Sequence, residues 1–488
     1  MSAVRAGQAA QARAESARPG PSARTAAGPH NLRLRIVMPA LNEGHALAQH
    51  LHTLQALRQR GAELVMVDGG STDSTWALAR ALADRVLLAA QGRATQMNAG
   101  TQDCNADVLL FLHADTELPQ DADRLVAQAV QSGKAWGRFD VRIDGPHPVL
   151  RVVERLMNLR SRLTGIATGD QAIFVKREVF ERLGGFVDLP LMEDIELSTR
   201  LRKIGPPACI KVPVATSARR WQRHGVWRTI VLMWRLRLAY FLGASPQALA
   251  VRYGYAPKPD GVAQPVTAAV AILAKAPVTG LAKTRLIPLL GAAGAARAQR
   301  RFTLNTLQVA GAAMAFANGA TAATPTAPDL SVPPPLTLWC APDAAHRFFR
   351  ALQRAAGTEC INQPQGDIGA RMLHAFEHHF AQHAKLPLLL VGTDCPVLAP
   401  GHLQQAAQAL KQHDVVLIPA EDGGYVLVGM RVLVPQVFEG IAWSTPQVMA
   451  QTREQLRRAG VSWLELPTLW DVDEPADWQR LQQIDKRM

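Results

Sequence analysis

Several segments of the first half hold the residue types that phosphate, metal and proton-transfer chemistry needs. Asp68 follows an apolar run and precedes Gly69 and Gly70, so the backbone can approach a ligand while the carboxylate accepts hydrogen bonds from a base or ribose. Ser71 and Asp73 in the same segment also suit a helix N-cap. Asp115 ends the run VLLFLHAD, where an acid can hold a divalent metal against a diphosphate or simply make a turn. Glu193 and Asp194 precede IELSTRLRK, so one can act as a general base while the other steadies a helix N-terminus. In isolation, two such acids are also ordinary N-terminal helix charges.

The second half has its own set. Lys275, Gly280, Lys283 and Arg285 lie in AKAPVTGLAKTRL, a glycine-containing basic loop suited to a diphosphate or triphosphate, without the spacing of a Walker loop. Asp394, Asp422 before Gly423 and Gly424, and Asp473 two residues after Asp471 are carboxylates at candidate strand ends, the usual source of Mg²⁺ ligands beside a nucleotide.

These residues need a scaffold that brings strand ends together. Hydrophobic patterning predicts strands at 34–40, 63–67, 85–88 and 107–112, alternating with helices at 44–59, 74–83 and 93–103. Similar units start at Val266–Ala274 and continue through 386–392 and 415–419. Such alternation predicts α/β domains, each a mostly parallel sheet flanked by helices, with ligands at the carboxyl ends of the strands. Residues 243–265 read as a linker, 318–335 as a Pro-rich insertion and 1–31 as a disordered tail. The domains are then 32–242 and 266–488.

A chain of 488 residues, 48% of them hydrophobic and 19% charged, is long enough for two cores and too apolar to be disordered. Five cysteines without a CxxC pair read as free thiols of a reducing compartment. No run is long enough to span a bilayer, and no apolar segment follows the N-terminal arginines as in a secretory signal. From Val266 onward 19 Lys and Arg face 17 Asp and Glu, leaving 34 against 23, and so most of the net +13, in the first half. That imbalance fits a phosphate-rich ligand or an anionic membrane surface; no recognition helix, zinc finger or RNP signature supports nucleic acid. Arg219–Arg237 carries six arginines, three tryptophans and no acid, and suits either a bilayer surface or a core helix with snorkelling arginines.

Taken in order, PALNE, VDGGSTD, GRATQMNAG, HAD and MEDIEL resemble the motifs of family 2 glycosyltransferases of the GT-A fold, over about residues 33–240. Two departures stand out: His113 replaces the first acid of Asp-x-Asp, and SARRW keeps Arg220 and Trp221 of Gln-x-x-Arg-Trp but lacks the Gln. TGDQAIF and SARRW look most like a bacterial subgroup associated with selenium and arsenosugar gene neighbourhoods, with carotenoid-acid glucosylating relatives nearby. Residues 266–485 resemble a GT-A-like family of unknown function related to nucleotidyltransferases, through KAPVTGLAKTRL, GDIGARM, GTDCP, DGGY, WSTP and DVD.

The first resemblance implies an inverting, metal-dependent glycosyltransferase using a nucleotide-diphosphate sugar. Asp194 with Glu193 would be catalytic, and Asp115, with His113 as second contact, would hold Mg²⁺ or Mn²⁺. Pro39, Asn42, Glu43, Asp68, Arg93, Asn98, Asp170, Arg220 and Trp221 would bind the nucleotide sugar. The second implies phosphate binding by Lys275, Gly280, Lys283 and Arg285, metal binding by Asp394 and Asp473, and a supporting role for Asp422, Gly423 and Gly424. The expected protein is a cytoplasmic bifunctional transferase, peripheral to the inner face of the cell membrane where it touches anionic lipid. Its acceptor would be a small or lipid-like molecule. The alternative is a membrane-surface transferase acting on a lipid or carotenoid acid, with a non-catalytic C-terminal module.

Overall fold

The computed structural model describes residues 32–219, 225–254, 268–319 and 335–485. The expected tail 1–31, most of the insertion, the end of the linker, and Arg220 and Trp221 lie outside the described residues.

The first sheet is built from β1 (Leu34–Ala40), β2 (Glu63–Asp68), β3 (Arg85–Leu88), β4 (Val108–Phe111), β5 (Thr116–Glu117), β6 (Trp136–Asp144), β7 (Phe174–Lys176) and β8 (Ala208–Ser217). Its order is β3-β2-β1-β4-β7-β6-β8-β5. The second sheet holds β9 (Ala269–Lys275), β10 (Leu336–Ala341), β11 (Glu359–Asn362), β12 (Leu388–Val391), β13 (Val415–Pro419), β14 (Tyr425–Met430) and β15 (Trp463–Glu465), in the order β11-β10-β9-β12-β14-β13-β15. Apart from β5, an extra antiparallel edge strand of the first sheet, the two orders match, and the reversed strand inside each sheet falls at the same place: β7 is antiparallel to β4 and β6, β14 to β12 and β13. The expected mostly parallel α/β architecture is therefore present twice.

β1 explains why the run LRIVMPA forms a strand. All seven residues are buried, as in a strand covered on both faces. Its one charge, Arg35, is satisfied by Glu63 Oε2 at 2.9 Å and by the carbonyls of Gly100, Gln102 and Asp103. The helices that matter for the site are α1 (Gly44–Thr53), α2 (Thr75–Leu82), α3 (Arg93–Gly100), α4 (Val149–Thr164), α5 (Glu193–Ile204), α6 (Val226–Phe241), α7 (Pro246–Tyr253), α8 (Ile287–Gly319, broken at Gly291) and α9 (Pro400–Ala409). The expected linker 243–265 needs correction at its start. Pro246 stands in the first turn, Ser245 Oγ accepts from the Ala248 amide, and Leu249 and Ala250 are buried, so α7 is part of the fold.

The two sheets dock into one compact unit from Arg33 onward. Trp76 of α2 is buried in the second sheet's core beside Val270, Leu338 and Leu403, with Val86 and Leu88 of β3 packed against it. α9 lies on the loop after β2 so closely that a side-chain carbon at Gly401 would come 2.5 Å from both the Gly70 and Ser71 carbonyl oxygens. Its neighbour His402 is 2% exposed, accepts from the Ala399 amide through Nδ1 at 2.9 Å, and bonds the Thr72 backbone.

Burial pushes the His402 imidazole from its ordinary 6.5 down to about 4. Between those values the unfolded chain binds a proton that the folded chain refuses, so stability rises with pH. The docked form should be fully stable above about pH 6.5 and lose up to about 3 kcal/mol as pH falls toward 4. Urea unfolding across this range should show that loss, and His402→Gln should flatten it. An equal slope in both proteins would mean that His402 is not the titrating group.

Candidate active site

The site grows from the carboxyl end of β4. The chain leaves that strand through His113, Ala114 and Asp115, then makes the short strand β5, paired Thr116 to Thr216 of β8. The Ser217 amide donates to the Asp115 carbonyl at 3.1 Å, which fixes the segment bearing the acid. A 3₁₀ turn at Gly169–Gln171 is closed by the Gln171 side chain on the Thr168 amide. This turn presents Asp170, whose Oδ1 sits 3.4 Å from His113 Nδ1. The other edge of that ring lies against Gly169, where any side-chain carbon would come 2.3 Å from Nε2.

α5 brings the acid pair. Asp194 Oδ2 accepts from the Gly169 amide at 2.8 Å and Oδ1 from the Ile195 amide at 2.7 Å, so the helix N-terminus and the 169–171 turn hold each other. Glu193 beside it is 4% exposed. Burial, and then the Asp194 charge, push its carboxyl above the usual range. That shift favours the protonated form of Glu193. Asp170 moves the other way: burial opposes its charge, but the His113 hydrogen bond and the nearby His113, Arg93 and Arg237 side chains outweigh it, and its carboxyl is held below the usual range.

All of these groups line one cavity of about 200 Å³. Arg93, His113, Asp115, Asp170, Glu193 and Asp194 give it a charged side, while Ile143, Met157, Leu191, Ile195, Met233 and Leu236 supply apolar lining. Arg237 of α6 and Tyr253 of α7 complete it. Arg237 is depressed by burial, and the Asp194 and Asp170 charges work against that. Arg160 of α4 is pushed down to about 10 by burial and then by Arg237, and its Nε and Nη2 are buried without an acceptor among the described residues. Cations packed this closely without carboxylate partners need an anion to offset them.

Other residues expected at the ligand are elsewhere. Asn98 gives its whole amide to the backbone of Phe186, at 2.8 and 2.9 Å, because it ties α3 to that loop. Pro39 is buried within β1. Asn42 takes the Thr72 amide on Oδ1 and gives its own amide to Ser71 Oγ, and Glu43 Oε2 pairs with Arg219 at 3.2 Å. These contacts clip the loop after β1 to the loop after β2. Asp68 is wholly buried and does not line the cavity. Its Oδ1 accepts from the Gly70 and Ser71 amides, while Oδ2 has no partner among the described residues. Burial pushes this carboxyl up against the Ser71 hydrogen bonds. The His113 ring, expected as a second metal contact, is taken up by Asp170 and Gly169 and so orients Asp170.

Among the described residues no three His, Cys, Asp or Glu side chains converge as a ready-made metal cage. The donor set fits a hard divalent cation of the kind that takes one or two carboxylates and completes its shell with ligand phosphates and water. Asp115, which lines the cavity, could supply one such carboxylate.

Reading the sequence missed Arg237 and Tyr253. Arg237 stood in the arginine-rich run, and only its position on the inward side of α6 distinguishes it. Tyr253 stood in the supposed linker.

In the second sheet Lys283 is 8% exposed and donates to Asp394 Oδ2 at 3.0 Å and Asp473 Oδ1 at 2.6 Å, while Arg285 lies 3.5 Å from Asp473. The residues expected to bind phosphate and those expected to bind metal are thus paired with each other. Asp471 is pushed up to about 7 by burial and then by the Asp394, Asp422 and Asp473 charges. Asp422 accepts from the Gly424 amide at 2.8 Å, and Gly423 has φ 90 where a side-chain carbon would strike the Pro446 carbonyl oxygen. Lys275 is exposed at the end of β9, and Gly280 has φ 83 with open space around it.

Residues 35–184 match the model of a family described as glycosyl transferase family 2, and residues 330–445 match an uncharacterized protein family conserved in bacteria, DUF2064. The chain therefore joins a family 2 glycosyltransferase domain, in the first sheet, to a DUF2064 domain, in the second. It is similar to undecaprenyl-phosphate 4-deoxy-4-formamido-L-arabinose transferases of Pseudomonas fluorescens Pf-5 (32% identity) and Pseudomonas paraeruginosa PA7 (30%) over 155 residues, 29% of this chain and 45% of each relative. The chain thus spans under half the length of these relatives. Among solved structures it is similar to a putative nucleotide-diphospho-sugar transferase from Desulfovibrio desulfuricans G20, at 29% identity and TM-score 0.38, covering 45% of this chain and 87% of that one. A mannosyltransferase from Pyrobaculum calidifontis in complex with GDP-Man and Mn²⁺ matches at 24% identity and TM-score 0.32, covering 46% of this chain and 66% of that one.

Proposed function

We propose that the first domain is an inverting, metal-dependent glycosyltransferase that takes its sugar from a nucleoside diphosphate. The observation that carries this reading is the cavity in which Arg93, Asp115, Asp170 and the Glu193–Asp194 pair, from four separate parts of the chain, face common apolar lining. The diphosphate lies against Asp115 and Arg93. A divalent cation, Mg²⁺ or Mn²⁺, held by Asp115 supplies charge neutralisation to the departing diphosphate. Asp194 takes the proton from the acceptor hydroxyl as its oxygen forms the new bond to the anomeric carbon. The bond to the phosphate oxygen breaks on the opposite face, and nucleoside diphosphate leaves. Two amide donors hold the Asp194 carboxylate in place for that step.

Arg237, which has no hydrogen-bonded carboxylate among the described residues, and the apolar lining beside it suit an acceptor with an anionic head and an apolar body. The Pseudomonas relatives, whose names specify undecaprenyl phosphate, support that class. The narrower likeness to selenium- and arsenosugar-associated proteins rests on TGDQAIF and SARRW.

For the second domain we propose nucleotidyl or glycosyl transfer in the same pathway. Support comes from Asp394, Asp471 and Asp473 around Lys283 and Arg285, the raised Asp471, and a strand order matching the first sheet. We place the protein in the cytoplasm. Among the described residues no helix is long and apolar enough to cross a membrane.

A screen of nucleotide sugars against the full chain with Mg²⁺ or Mn²⁺, following nucleoside diphosphate release, tests the reading. One donor class should be turned over, and chelation should stop it. Turnover indifferent to chelator would remove the metal from the account.

A further inference from the structure

α4 and α6 line the cavity with Met157 on one helix and Met233, Leu236 and Arg237 on the other. Each helix carries a second apolar stripe that the fold leaves uncovered. On α4 it is Val152, Leu156, Leu159 and Leu163; on α6 it is Trp227, Val231, Trp234 and Leu238, continuing to Phe241. The spacing of three and four residues places each set on one helix face. Trp227 is 66% exposed, Trp234 68% and Leu163 78%. Among the described residues nothing covers the exposed half or more of each of these side chains, and large apolar groups left in solvent at this density mark an interaction site.

Charge identifies the partner. Arg155 stands exposed among the α4 stripe, beside Arg162, whose guanidinium is paired with Asp140, and Arg228 and Arg235 stand exposed among the α6 stripe. α6 has no acidic residue, and the one acid of α4, Glu154, is engaged by the Ile143 amide and Arg151. Tryptophan beside arginine on an apolar helix face is the composition that settles at the headgroup level of an anionic bilayer. A second copy of the chain would have to bring the same arginines against themselves.

We propose that the exposed faces of α4 and α6 dock the protein on an anionic membrane and set the cavity at the lipid surface. An acceptor with an anionic head then enters the cavity between Met157 and Met233 and meets Arg237, while its apolar body stays in the bilayer. This rests on the glycosyltransferase reading for the identity of the cavity, although docking itself requires no turnover.

Flotation of the full chain with vesicles tests it, using phosphatidylcholine alone and phosphatidylcholine with phosphatidylglycerol, at low and high salt. The protein should float with the anionic vesicles and less so at high salt. Trp227→Ser combined with Trp234→Ser should weaken binding by about tenfold or more, and Arg228→Gln with Arg235→Gln should remove the preference for phosphatidylglycerol. These residues do not line the cavity, so nucleoside diphosphate binding by both variants should equal that of the parent and certifies that they are folded. Absence of flotation by the parent chain overturns the docking proposal. A parent that instead sediments as a dimer, made monomeric by the tryptophan pair, also overturns it, since the stripe then covers another copy. In either case diphosphate binding and turnover still stand as evidence on the cavity. If flotation holds while the parent chain releases nucleoside diphosphate from no nucleotide sugar, the glycosyltransferase assignment fails and the docking surface survives.

Discussion

Replacing Asp194 with asparagine should reduce glycosyl transfer by about 10²- to 10⁴-fold, with nucleotide-sugar affinity within about twofold of the parent. The substitution keeps shape and removes the charge. Asparagine still offers one oxygen to the Gly169 or Ile195 amide, so the turn and α5 remain joined through one of the two present bonds. The lost bond and lost N-terminal charge cost about 1–3 kcal/mol of stability, too little to unfold a chain with two full cores. Glu193 cannot take over. It is only 4% exposed, its raised carboxyl already favours the protonated form, and asparagine removes only one cause of that shift. Single-turnover transfer beside equilibrium donor binding separates the two effects. Full transfer by the variant would take Asp194 out of the chemistry.

Asp115→Asn should act on donor binding. With the carboxylate proposed to hold the cation neutralised, metal-dependent nucleoside diphosphate binding should fall, and kcat/KM with it by about 100-fold or more. Asp115 is anchored through its carbonyl on Ser217, so its side chain is dispensable to the local fold and a loss of binding reads directly on the cation. His113→Gln is the informative companion. If the ring orients Asp170 and does not bind metal, that variant should lower turnover while cation-dependent binding persists.

Much of this was legible in local pattern. β1 is a continuous apolar run, and Asp68, Asp115 and Glu193–Asp194 are acids next to such runs or at a helix start; strand ends and helix starts are set by neighbours along the chain. What pattern could not carry was direction. Asn98 and Asp170 both stand in segments that matched family motifs, yet Asn98 turns to the Phe186 backbone and Asp170 to the cavity, a choice made by packing between distant segments. Arg237 is one arginine of six until α6 is docked and its inward side defined. The direction of the reversed strands was hidden because β7 is only three residues long and β14, an apolar run of six, is compatible in composition with a parallel neighbour. Pairing of Lys283 with Asp394 and Asp473 was likewise out of reach, since 111 and 190 positions separate the partners. The loop after β2 shows the same limit: its motif was visible, but α9 of the other domain resting on it was not.

The central claim is that one cavity gathers a cation and diphosphate end at Asp115 and a proton-accepting end at Asp194. Nucleoside diphosphate affinity, measured with and without Mn²⁺ on the parent chain, Asp115→Asn and Asp194→Asn side by side, tests it most directly. The account predicts a Mn²⁺-dependent gain in affinity that Asp194→Asn retains and Asp115→Asn loses. Equal gains in all three proteins, or none in the parent, would contradict it.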